Sequence, residues 1–140
     1  MKIWLKILIV TFLFGAPTLP LGEMLWPVMT MPEIPTSTQL GLLIVVGVIE
    51  SIAFGLGVAF LIFGWKTVKR VIRFDQTLAK WMYASIGWTL VSWWPHDRLH
   101  MHYGLQIKPL IGIEYAFHVT LIVASLIIAY GFLRILRALK

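Results

Sequence analysis

Six side chains able to ligate a metal fall within one short stretch: His96, Asp97, His100, His102, Glu114 and His118. They include every histidine of the chain. Imidazole suits copper, zinc, iron or nickel, and carboxylate widens the choice. Glu114 and His118 stand four residues apart, so on a helix they share a face. Met24, Met29, Met31 and Met101 fall on the same side of the predicted topology, and thioether with imidazole is a copper-favouring mixture. Copper is therefore the first cofactor to consider. The chain has no cysteine, so thiolate zinc patterns and disulfides are excluded. The same residues also fit a structural role. Trp93-Trp94-Pro95-His96-Asp97-Arg98 reads as a helix stop with polar capping, and Glu114 with His118 reads as a buried pair that fixes helix register. Both readings stand at this level.

The elements that must position these groups are apolar. The chain has 140 residues, 59% hydrophobic and 13% charged, with a mean hydropathy of +0.86. A soluble domain carries about twice that share of charge, and a chain this short cannot hide so much apolar surface from water. The composition predicts an all-α integral membrane protein, folded as a single transmembrane helical domain. The net charge of +6 sits beside apolar runs, which points to membrane orientation and excludes a nucleic-acid partner.

Four apolar segments are read as spans: residues 3–22, 40–65, 77–94 and 110–133. The third is the shortest, about 27 Å of helix at 1.5 Å per residue, with Lys80 snorkelling. The first begins like a signal peptide, with Lys2 and Lys6, an apolar run and Gly15-Ala16. Pro17 disfavours cleavage after Ala16, so the segment is expected as a kinked first helix or signal anchor, with a shallow interfacial helix as the alternative. All basic residues except Arg98 and Lys108 fall on one side of a four-span chain. Both termini are therefore expected in the cytoplasm of a multi-pass cell-membrane protein. Trp4, Trp65 and Trp81 then mark the inner boundary, and Trp26, Trp93 and Trp94 the outer one. Two outward loops follow: a proline-rich one at 23–39, and a histidine-rich, extracytoplasmic one at 95–109.

The spans carry further signals. Gly112, Ala116, Thr120 and Ala124 recur every fourth residue, as do Gly47, Ser51 and Gly55; such ladders let helix backbones approach closely in lipid. Glu114, His118 and Ser125 form a polar stripe on another face of the fourth segment. These faces suit either each other or helices of other chains. Glu50 lies near the bilayer middle, where a carboxylate needs a partner or water. Phosphate-binding loops, dinucleotide fingerprints and nucleophile–base pairs are absent from the sequence.

From residue 88 to 130 the chain reads WTLVSWWPHDRLHMHYGLQIKPLIGIEYAFHVTLIVASLIIAY. The WPHDRLHMHYG run followed by IEYAFHVTLIVA resembles small accessory membrane subunits of archaeal ammonia monooxygenase, a copper membrane monooxygenase. The resemblance implies a helical subunit packed beside copper-bearing subunits, and carries no catalytic residue onto this chain. The sequence thus predicts an accessory or structural subunit of a membrane metalloenzyme complex, partnered by other membrane subunits and the lipid bilayer. A stand-alone metal-binding or delivery protein, and a small proton or ion carrier using Glu50, Glu114 and His118, are the alternatives.

Overall fold

In lipid a backbone must satisfy its own polar groups, and a helix does so within one segment. The computed structural model describes residues 1–25, 36–103 and 111–139, without the side chains of 101–103. Every described element is helical: α1 (Ile3–Gly15), α2 (Thr18–Leu25), α3 (Ser37–Phe63), α4 (Trp65–Val71), α5 (Gln76–Tyr103) and α6 (Ile111–Ala138). Ile3–Leu25, Ser37–Phe63 and Ile111–Ala138 are long and apolar enough to cross a membrane. The expected third span is not among them. It belongs to α5, whose hydropathy is lowered by Lys80, His96, Asp97, Arg98 and His100.

Local chemistry sets the boundaries. The first apolar segment breaks at Ala16-Pro17, giving the expected kink between α1 and α2. Thr36 caps α3 in a capping box: its backbone N–H donates to Gln39 Oε1 at 2.8 Å, and its Oγ1 accepts from the Gln39 N–H. This satisfies two donors that helix geometry orphans. Asp75 does the same for α5, its Oδ1 accepting from the Leu78 N–H at 2.9 Å.

One expectation is overturned. The histidine-rich stretch does not begin as a loop at Pro95. Helix α5 runs through Pro95 to Tyr103, so His96, Asp97 and His100 are helical. Proline removes one N–H and crowds the carbonyl four residues earlier, at a cost of about 3 kcal/mol in a helix interior. Packing of α5 on both α3 and α6 holds the helix across that defect, as neighbouring helices do for prolines in membrane helices. Residues 104–110 and most of the proline-rich stretch lie outside the described residues.

The helices form an antiparallel row in which α1 packs on α3, α3 on α5, and α5 on α6. Small residues close the first joint. A Cβ on Gly55 would stand 2.2 Å from the Thr11 carbonyl oxygen, and one on Gly15 would stand 2.5 Å from that of Ser51. Ser51 donates to the Gly47 carbonyl, and the Thr18 hydroxyl lies 2.7 Å from Ser51 Oγ. The Gly47-Ser51-Gly55 ladder is thus consumed inside the chain. At the second joint Gly57 meets Leu90 and Val91, and Gly87 meets Leu61. At the third, Gly131 meets Met82. The ladder of α6 divides: Ala124 is buried, but Ala116 is exposed and a Cβ on Gly112 would meet nothing within 4 Å.

Gly55→Leu is expected to force α1 off α3 and destabilise the protein by about 1–3 kcal/mol. Gly41→Leu, where a Cβ meets nothing within 4 Å, should stay within about 0.5 kcal/mol of the native chain. Thermal unfolding in mild detergent compares the two.

Candidate metal centre

Continuing α5 through Pro95 places His96 and His100 four residues apart on one helical face, and the antiparallel α6 brings Glu114 to it. Three donor atoms converge. His96 Nε2 lies 3.1 Å from His100 Nε2 and 3.3 Å from Glu114 Oε1; His100 Nε2 lies 2.9 Å from the same oxygen. An ion bound at 2.0–2.1 Å holds neighbouring ligand atoms about 2.8–3.4 Å apart, the lower end for octahedral and the upper for tetrahedral coordination. The observed edges match that range. Imidazole and carboxylate lone pairs aimed at one point repel unless a proton or cation stands between them, so the cluster is preshaped for positive charge. His96, His100 and Glu114 form a group able to hold a metal ion.

The ring of His96 is well fixed. It stacks on Phe117 with centroids 4.2 Å apart and planes at 12°, and meets His100 edge-on at 4.5 Å. Its Nδ1 faces Asp97 Oδ1 at 3.3 Å, while Asp97 Oδ2 accepts from the Trp93 indole at 2.8 Å. With Nδ1–H directed at the carboxylate, the Nε2 lone pair is free for a metal. Asp97 therefore stands behind the candidate donor His96, outside the three-residue group.

The other expected ligands divide. His118 Nδ1 lies 3.0 Å from Glu114 Oε1 but is half exposed and outside the three-donor group. The His102 and Met101 side chains, and Met29 and Met31, lie outside the described residues. Met24 sits exposed on α2, so no thioether joins the donor set among the described residues.

The α3-facing side of α5 carries a second polar group. Arg98 is buried, its guanidinium lying against Gly22 and Gly47, where a Cβ would stand within 3 Å. Glu50, on α3, is fully buried, and the charged groups facing it are Asp97 and Arg98. Neither Glu50 oxygen has a donor with good hydrogen-bond geometry among the described residues, and the Asp97 carboxyl lies beside it. Asp97 thus stands between the histidine cluster and Glu50. Arg98 is the cation whose charge acts on that acid, and it does so once α5 is helical at that point.

No family model, curated protein or solved structure matches this chain.

Arg98→Met is expected to destabilise by about 3–5 kcal/mol, because it strands a buried carboxylate. Adding Glu50→Leu should recover most of that loss, since the stranded acid is removed with it. A double-mutant cycle of detergent unfolding midpoints checks both.

Proposed function

We propose that this chain is an accessory, multi-pass subunit of a membrane metalloenzyme, and that it holds one transition-metal ion between α5 and α6. The convergence of His96 Nε2, His100 Nε2 and a Glu114 oxygen at ligand-edge spacing carries the metal assignment. Copper is the ion of choice: an imidazole–carboxylate site binds it most tightly of the divalent first-row metals, and the resemblance at residues 88–130 points to a copper membrane monooxygenase, here ammonia monooxygenase.

The antiparallel row supports a four-span topology with both termini in the cytoplasm. The start of α1, the end of α3, α4, the start of α5 and the end of α6 share one end, judged by the Leu61–Gly87 and Met82–Gly131 contacts and by the cavity that joins Ile3 and Ile7 to Phe63. Nearly all the basic residues lie at that end, as the inner face of a membrane protein requires. In this reading α5 is the third crossing, its polar residues turned toward α3 and α6, and the metal centre lies at the extracytoplasmic end. Helix α6 has one neighbour in the row, and its exposed Gly112 and Ala116 suit close approach by a helix of a catalytic subunit.

Purified protein in detergent should bind one equivalent of Cu(II), read by isothermal titration and elemental analysis. His96→Ala, His100→Ala and Glu114→Gln should each abolish that equivalent. Asp97→Asn should keep the stoichiometry and weaken affinity by about 10- to 100-fold, as loss of a histidine's outer partner does. Binding should weaken as pH falls, because protons compete for the imidazoles. Unchanged metal content in the three ligand variants rejects the metal centre. Purification from native membranes tests the subunit reading separately: large metalloenzyme subunits should co-elute in fixed ratio, and a chain that elutes alone rejects it.

A further inference from the structure

A cavity of about 280 Å³ opens between α5 and α6 immediately beside the histidine cluster. Its walls are mostly apolar, with Trp88, Pro95, Leu99, Ile113 and Phe117 around it. These walls are fixed. The Trp88 indole donates to Thr120 Oγ1 at 3.0 Å, and the Thr120 hydroxyl donates to the Phe117 carbonyl at 2.7 Å. Trp88 and Phe117 meet at 5.9 Å with tilted planes, and Phe117 is covered on one face by His96. Trp88 and Ile113 are exposed at the surface, so the mouth faces the surrounding lipid.

The cavity has a polar end. Ser92 lines it and is 3% exposed, yet its hydroxyl has no partner among the described residues. Buried hydroxyls are normally satisfied, and each exception needs an explanation. Pro95 has no N–H to give the Val91 carbonyl in the helical pattern, and both residues line the same cavity. His96 and Glu114 complete that end. The polar groups are therefore one hydroxyl able to donate or accept, surrounded by acceptors. Drug-sized ligands occupy about 300–1,000 Å³, so this space suits one ring and not a larger body. An acyl chain would fill the apolar part and leave Ser92 unpaired. An ion would be held by the donors but would leave the aromatic box empty.

We propose that this cavity binds a small neutral aromatic alcohol, a single ring with one hydroxyl, entering from the lipid phase. The ring lies against Trp88 and Phe117. Its hydroxyl donates to the acceptors at the polar end and accepts from Ser92. The site shares His96 and Glu114 with the proposed metal centre but requires no metal to form.

The probe is 4-fluorophenol, followed by fluorine NMR with the protein in lipid nanodiscs and EDTA present, against empty nanodiscs. The expected result is one saturable site per chain above partitioning into lipid. Val91→Phe and Ile113→Trp should abolish it by filling the cavity and its mouth; Ile113 is exposed, so its variant needs no repacking of the interior. Ser92→Ala should weaken binding roughly 2- to 12-fold, the range for one net hydrogen bond, and fluorobenzene should bind the native chain more weakly by a similar factor. Uptake that never saturates, or that ignores both filling variants, overturns the proposal and leaves the space to lipid chains or water. Because metal is chelated throughout, loss of the metal reading and loss of this one are separate outcomes.

Discussion

The arrangement rests on one constraint: α5 is the most polar of the long helices, and its buried charged and titratable side chains must find partners. Helix α5 meets this by lying between two more apolar helices. Its Trp94 and Arg98 side turns toward α3, where Phe54 and Glu50 wait. Its His96 and His100 side turns toward α6 and Glu114. The glycines at both joints follow from the same need, because polar groups on neighbouring helices meet only when the backbones come close. The α1–α3 contact then supports α3 from behind.

Two polar groups on opposite faces of one helix are rarely independent, and Asp97 joins them here. One of its oxygens faces His96 and the other accepts from Trp93, while its charge also acts on Glu50. Arg98 offsets the two acids from the next position and reaches between Gly22 and Gly47. Replacing any member of the group changes the electrostatic surroundings of the others, so energies of single substitutions here should not be expected to add.

The sequence made the helical class, the apolar segments and the kink at Pro17 legible, because each rests on composition or on a residue with one strong local effect. It also brought Glu114 and the histidines together as a candidate group. It misplaced the elements that carry them. Pro95 was read as an end to the helix, a sound local inference, and this hid the spacing of His96 and His100 on one face. Whether a helix survives a proline depends on what packs against it, and that information is tertiary. Arg98 went astray for the same reason: once in a loop, it was no longer a partner for Glu50. The division between ligand and supporting residue, His96 against Asp97, was equally out of reach, because it turns on which ring nitrogen faces which carboxylate. The unpaired Ser92 hydroxyl had no sequence signal, since an ordinary serine becomes informative only through what surrounds it.

The donor set is split between helices that are made at different times. Synthesis proceeds from the N-terminus, so the ribosome finishes α5, with His96 and His100, before it reaches Glu114 on α6. Until α6 lies against α5, the histidines lack the carboxylate that completes the group. In the proposed metal reading, an ion meeting the nascent chain finds two of the three donors. Loading is then a step of maturation that follows docking of the last helix, and a chain arrested before it would be spared capture of an ion it cannot hold in place.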